Sequence, residues 1–282
     1  MDVRHRHAIV TGGSSGIGLA TAELLAAHGA RVSLLARDPD RLARATARLR
    51  AAGATVAARP ADVTDAHGLA AALDDLESAQ GPCDILLHSA GAVVPGHFLD
   101  LDDATFRTMM EVNYFGTLNA MRRLVPGMVK RGHGSVVAVS SAAALVGVFG
   151  YTAYGPAKCA VRGLMEAARA ELARHGVHTG LVLPPDVDTP QLAEENRHKP
   201  AETRAIAGTV KPLPPARVAR AILTGIHRRR FLICPDPTTW TLAHLGGAVT
   251  PVLNRLFDHR TGSAWRRQRP EGEARGLAGP AP

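Results

Sequence analysis

A chain of 282 residues with 46 % hydrophobic residues is long enough for one large domain or two small ones and can supply a sizeable core. Its formal charge of +8 comes with only 4 % aromatic residues, and its arginines cluster only at "HRRRF" (227–231) and "WRRQR" (265–269). That combination argues against a nucleic-acid partner and reads as solvated surface with some attraction for anionic lipid.

The N-terminal "MDVRHRHAIVTGG" reaches its first apolar run almost at once and lacks a signal-peptide layout. Cys83, Cys159 and Cys234 are an odd, widely spaced set with no CxxC, which points to neither a disulfide framework nor a metal site. Both features lead to the expectation of a cytoplasmic protein.

The first strand is "HAIVT" (7–11), and "IVTGGSSGIGLA" (9–20) places Gly12, Gly16 and Gly18 directly after it and at the opening of a helix. Gly12 permits the tight turn, Gly16 lets backbone N–H groups approach a phosphate, and Gly18 allows close helix packing. In this strand-turn-helix context the pattern indicates dinucleotide binding rather than an ordinary glycine-rich turn. The second strand, "ARVSLLA" (30–36), is followed by Arg37, where an NAD site typically has a carboxylate. Arg37 can grip a 2′-phosphate in bidentate fashion and Ser14 can add a hydrogen bond, so NADP is favoured over NAD, with the adjacent Asp38 as the opposing feature. Asp62, in "ADVTD", either accepts from the adenine amino group or caps the next helix.

Further strands fall at "CDILLHSAG" (83–91), "GSVVAVS" (134–140) and "GVHTGLVLP" (176–184), with alanine-rich helical stretches between them, among them "TFRTMMEVNYFGTLNAMRRLVPGMVKR". The alternation implies an α/β architecture, a single doubly wound domain over 5–235 with a parallel sheet. Ser141 lies at the end of a strand, on the carboxyl edge where such sheets bind ligands, and Tyr154 and Lys158 share one helix face in "YGPAK". Reduction of a ketone by hydride needs a proton donor at the oxygen. Tyr154 can serve, with Lys158 and the charge of an oxidised nicotinamide lowering its pKa by roughly 1 to 3 units, and Ser141 can hold the substrate oxygen. Asn113, an amide among apolar residues, is placed to hold a water linking Lys158 to solvent. Each residue alone also has an ordinary role in packing, at the surface or in a turn.

Together, "TGGSSGIG", Asn113, Ser141, Tyr154 and Lys158 resemble the short-chain dehydrogenase/reductase family over residues 5–235. The resemblance implies a Rossmann-type, seven-stranded sheet, NADP(H), a catalytic tetrad of those four residues, and further cofactor contacts at Ser15, Ile17, Val63, Ala90, Gly91, Pro184, Val187 and Thr189. Two features depart from it. "HSAG" (88–91) replaces the common NNAG, and "LPPDVDTPQLAEENRHKPAETR" (183–204) stands where Pro-Gly is usual. The second stretch resembles the 3-ketodihydrosphingosine reductase branch, which implies reduction of the 3-keto group of a long-chain amino ketone to dihydrosphingosine. His88 is then expected to be structural, since neutral imidazole both donates and accepts.

The ammonium of such a substrate needs carboxylates, and Asp186, Asp188, Glu194 and Glu195 offer them, with Asp186 first; the same residues also suit the start of a helix. Val148 and Phe149, within "AAALVGVFG", are expected to wall the lipid chain. The rival readings are the same chemistry on another β-keto, lipid or polyketide-like substrate, and a non-catalytic NADP-binding scaffold.

Residues 236–258 form an apolar appendage in which Leu242, Leu245, Val249, Val252 and Leu256 recur at helical spacing, flanked by Trp240 and Phe257. It suits the enzyme body, a partner subunit or peripheral contact with the cytoplasmic face of a membrane. Residues 259–282 read as a disordered tail. Family habit implies a homodimer or homotetramer built on the long helices before and after Ser141.

Overall fold

The computed structural model describes residues 1–207 and 211–268. Its core is a seven-stranded parallel sheet of β1 (His7–Thr11), β2 (Arg31–Ala36), β3 (Val56–Pro60), β4 (Ile85–His88), β5 (Gly134–Val139), β6 (Val177–Val182) and β7 (Leu232–Ile233). The order across the sheet is β3-β2-β1-β4-β5-β6-β7. The chain starts in the middle, winds out to β3, then crosses to β4 and winds the other way. The reversal opens a crevice above the carboxyl ends of β1 and β4, where ligands bind in such sheets.

Strands β1, β4, β5 and β6 are buried throughout, as both faces are covered. Val10, Leu34, Leu87 and Val137 point into one layer with α1 (Gly16–Ala27), α2 (Pro39–Ala51) and α9 (Pro215–Arg228). Ile9, Leu86, Val136 and Leu181 point into the other, with α3 (Ala66–Gln80), α5 (Gly116–Arg131) and α6 (Tyr154–Leu172). This two-residue alternation is the pleat itself, and each such side chain contributes roughly 1.5–3 kcal/mol on burial.

The helix read from 105 to 131 is α4 (Asp103–Met110) and α5 joined through one π turn, Glu111–Phe115. Beyond β6, α7 (Pro190–His198) and α8 (Ala201–Ala207) lie over the carboxyl edge, and α10 (Pro237–Gln268) packs on α8. The apolar recurrence expected on α10 is split between two faces. Leu242 is buried, Val249 and Phe257 are half-buried, and Trp240, Leu245, Val252 and Leu256 are exposed. Helix α10 also runs on through 259–268, which the sequence assigns to a tail, while 269–282 lie outside the described residues. No helix among the described residues is long and apolar enough to cross a membrane.

Candidate active site

A cleft of about 660 Å³ follows the carboxyl edge of the sheet, from Arg37 and Asp62 at one end, past the glycine turn, to Tyr154, Asp186 and Glu195 at the other. At the turn, Gly12 and Gly16 have φ of +66° and +55°, the left-handed region that favours glycine. A Cβ on Gly12 would stand 2.7 Å from Ala90 N, and one on Gly18 2.3 Å from Gly12 O. Gly18 thus works behind the cleft, closing the turn, and Ser14, Ser15, Gly16 and Ile17 line it.

The residue before α1, Ser15, makes no side-chain cap, so the helix presents bare N–H groups to the cleft. That is a ready anion site, with the positive end of the helix dipole behind it. The donor set and the glycine cradle fit a dinucleotide pyrophosphate. Val63, Ala90, Gly91, Pro184, Val187 and Thr189 line the same cleft, so the expected cofactor contacts are gathered in one place.

At the adenosine end Asp38 is already engaged. It caps α2, accepting from Asp40 N and Arg41 N at 3.0 Å, and pairs with Arg41 Nε at 3.1 Å. Arg37 is largely exposed, 3.8 Å from Asp62, and free to turn to a phosphate. Asp62 does not cap α3, whose cap is Asp65; it accepts from the backbone and hydroxyl of Thr64.

Ser141, half-buried at the tip of β5, begins a short 3₁₀ turn, its Oγ accepting from Ala143 N at 3.1 Å. Ser140 donates to Lys158 O at 3.0 Å, which fastens the strand end to α6. Tyr154 opens α6 and lines the cleft with Ser141, whose hydroxyl favours the ionised phenol. Lys158, 5 % exposed, donates to Val139 O at 3.1 Å, with Nζ 5.7 Å from the Tyr154 ring centroid. Burial brings its pKa down to about 8.

Tyr154 does not behave as the sequence suggests. Burial raises its phenol above the ordinary range, the Ser141 hydroxyl opposes that, and Glu195 and Asp186 add to the rise. The protein by itself therefore holds Tyr154 protonated rather than lowering its pKa.

Asn113 is tied to the backbone after β4. It is 1 % exposed and lies behind the cleft, Nδ2 donating to Ala92 O at 3.0 Å and Met109 O at 2.9 Å, Oδ1 accepting from Ala92 N at 3.2 Å. Its carbonyl accepts from Thr117 Oγ1 at 2.6 Å. The π turn thus swings Asn113 onto the backbone after β4, making it a clamp for the cleft floor, with one acceptor site of Oδ1 remaining. Gly91 completes the floor: a Cβ there would lie 2.9 Å from Asn113 Oδ1 and 3.3 Å from Lys158 Nζ.

His88 is buried beneath this floor. Thr11 Oγ1 accepts from Ser89 N and Ala90 N at 3.3 Å and meets His88 Nδ1 at 2.9 Å, so its own proton points to Nδ1. Burial and Lys158 drive its pKa down to about 3, and it stays neutral and structural.

Over the substrate end, the loop after β6 and α7 form a cover. Ala142 N donates to Pro184 O at 2.8 Å, and Thr189 caps α7, accepting from Leu192 N at 3.2 Å. Asp186 lines the cleft, but one oxygen already meets Lys199 Nζ at 3.2 Å. Glu195 lines it as well, 3.0 Å from the same Lys199 Nζ, and accepts a hydrogen bond from Tyr151 Oη. Glu194 borders the cleft with its carboxylate turned to Arg197 and His198 at 2.7 and 3.3 Å, and Asp188 is exposed. Val148 and Phe149 are absent from the lining. Phe149 is exposed and stands edge-on to His97 at 5.2 Å between ring centroids. Of the expected carboxylates Asp186, Glu194 and Glu195 line the cleft, and the structure adds Tyr151 to the lining and Lys199 bridging Asp186 and Glu195. The available signals were Tyr151 one helical turn before Tyr154 and Lys199 four residues after Glu195, a helical ion-pair spacing.

A family model described as short chain dehydrogenase matches residues 6–200. The 3-dehydrosphinganine reductase of Danio rerio is 36 % identical over 88 % of this chain and 76 % of that protein. The 3-ketodihydrosphingosine reductase of Dictyostelium discoideum is 34 % identical over 91 % of this chain and 82 % of its own length. Among solved structures, a short chain dehydrogenase/reductase from Burkholderia phymatum in complex with NAD superposes with a TM-score of 0.80 at 26 % identity, covering 90 % of this chain and 96 % of that one.

Proposed function

This chain belongs to the short-chain dehydrogenase family, an oxidoreductase family acting on keto and hydroxyl groups, and we propose that its reaction is the NADPH-dependent reduction of the 3-keto group of 3-ketodihydrosphingosine to dihydrosphingosine. The observation that carries the chemistry is that Ser141 and Tyr154 line the same cleft wall, with the buried Lys158 amine 5.7 Å from the Tyr154 ring centroid. The substrate assignment is supported by relatives of that name, at 34–36 % identity over about nine-tenths of this chain.

A bound nicotinamide dinucleotide supplies the hydride. Ser14, Ser15 and the bare N-terminus of α1 hold its pyrophosphate, and Arg37 takes the 2′-phosphate because Asp38 is engaged in capping. The substrate carbonyl oxygen lies between the Ser141 and Tyr154 hydroxyls. As its carbon accepts hydride, Tyr154 delivers the phenolic proton to the oxygen and the ketone becomes a secondary alcohol. Lys158, fixed by Val139 O, faces the phenolate that remains.

Residues 5–235 are the catalytic unit in this reading and α10 is an appendage. The stripe of Leu245, Val252 and Leu256 that α10 leaves exposed faces a lipid surface, and the enzyme is a homo-oligomer through α5 and α6. The test of the reaction is NADPH consumption with 3-ketodihydrosphingosine beside a simple β-keto ester, with NADH as control. Equal rates with both ketones would remove the lipid assignment. Flotation of the full chain with anionic liposomes, compared with its Val252→Glu form, tests the stripe; equal flotation would reject it. Light scattering tests the oligomer, and a monomeric mass would reject it.

A further inference from the structure

The ketone lies at Ser141 and Tyr154, so whatever the neighbouring carbon carries falls against the next part of the cleft. That part is built from three elements. Tyr151 precedes α6, its ring 5.5 Å from that of Tyr154. Asp186 comes from the loop after β6, and Glu195 and Lys199 from the end of α7.

Lys199 is 3 % and Glu195 9 % exposed, which removes them from the surface pairs that contribute little. Two carboxylates share one lysine ammonium, leaving one negative charge between the buried Glu195 and the half-buried Asp186, which opens to the cleft. The Tyr151 hydroxyl stabilises that charge without cancelling it. A charge left uncompensated in such a place is costly until a cation arrives.

Resting on the reductase reading above, we infer that Asp186 and Glu195, held apart by Lys199 and steadied by Tyr151, form the subsite for the primary ammonium on the carbon next to the substrate's ketone. Lys199 sets the charge to be met at a single cation and prevents the carboxylates from taking up two protons or a divalent ion instead. Tyr151 holds Glu195 in place, and the open part of Asp186 faces the cleft.

The same geometry gives the ammonium a role in the chemistry. Glu195 and Asp186 both act on the Tyr154 phenol and hold its proton on. A phenolate left there after proton transfer would face two carboxylates. A substrate ammonium seated between them cancels that repulsion as the phenolate forms, so it helps turnover as well as binding.

The test compares kcat and KM, with saturating NADPH, for 3-ketodihydrosphingosine and for its N-acetyl derivative, which keeps the ketone and the chain but carries no charge. The wild type is expected to favour the amino ketone by roughly ten- to a hundredfold in kcat/KM, with part of the difference in kcat. In Glu195→Gln and in Asp186→Asn that ratio falls toward one, a change that a general loss of folding does not produce. Thermal melts identify any variant that is unfolded, and the wild-type ratio alone still decides. Equal kcat/KM for the two ketones in the wild type would overturn the ammonium subsite and leave ketone reduction standing. Variants that slow both substrates equally would also overturn it. Turnover of neither ketone would overturn the reductase reading itself.

Discussion

Replacing Lys158 by Met is expected to make the protein more stable and inactive at once. The amine is almost fully enclosed, and its pKa falls from 10.5 to about 8. At about 1.4 kcal/mol for each pH unit between those values, carrying the charge inside the fold costs about 3 kcal/mol. Because the folded value lies below the unfolded one, that cost is fully present below about pH 8 and fades as the pH rises to 10.5, where the unfolded chain loses its proton too. Met fills a similar volume without a charge, but Val139 O loses its donor, which returns about 1 kcal/mol. The net gain near neutral pH is about 2 kcal/mol, or roughly 3–4 °C in Tm for a chain of this size. Urea denaturation without added dinucleotide, for wild type and Lys158→Met at several pH values, measures it. The advantage of the variant should shrink as the pH approaches 10, while NADPH oxidation by the variant is lost throughout. A variant less stable than wild type near neutral pH, or a difference that ignores pH, would refute this account of Lys158.

Tyr154→Phe removes the proton donor and is expected to lower kcat by roughly 10²–10⁴-fold while NADPH binding, followed by its fluorescence, is retained. Arg37→Ala should raise KM for NADPH roughly tenfold or more and leave that for NADH nearly unchanged, since only the first carries the phosphate; parallel changes for both cofactors would reject its role. Lys199→Met strands the buried Glu195 carboxylate and leaves the half-buried Asp186 without its partner, and is expected to destabilise the fold by about 3 kcal/mol in urea titrations. Gly91→Ala forces a Cβ to within 2.9 Å of Asn113 Oδ1, and should cut kcat more than it lowers Tm.

What could be read from the sequence is what is local. The glycine turn, the Arg37 position and the Tyr154–Lys158 spacing each rest on a few consecutive residues, and the structure brings them into one cleft. The buried strands stood out because both faces are covered, giving continuous apolar runs. Strand β3 did not, because it is an edge strand that is half exposed and ends in Arg59 and Pro60, and β7 is only two residues long. The π turn leaves no mark in the hydrophobic period, so Asn113 could be located but its engagement with Ala92 could not. Lys199 looks like an ordinary basic residue at the end of a helix; only the fold brings Asp186 to its other side.

Tyr154 stands between opposite charges, and this places the resting state of the reaction. Lys158 lies behind the ring and donates to Val139 O, so its hydrogen-bonding is directed away from the phenol. Asp186 and Glu195 lie in front and favour the protonated form. An acid for ketone reduction must hold its proton until hydride arrives, and this wall keeps it there at any physiological pH. Oxidation of the alcohol would need the phenolate at the start, against the same field. The empty site therefore holds its acid loaded, and an ammonium seated against the wall, whether on the ketone or on the alcohol it becomes, eases the charge as the phenolate forms.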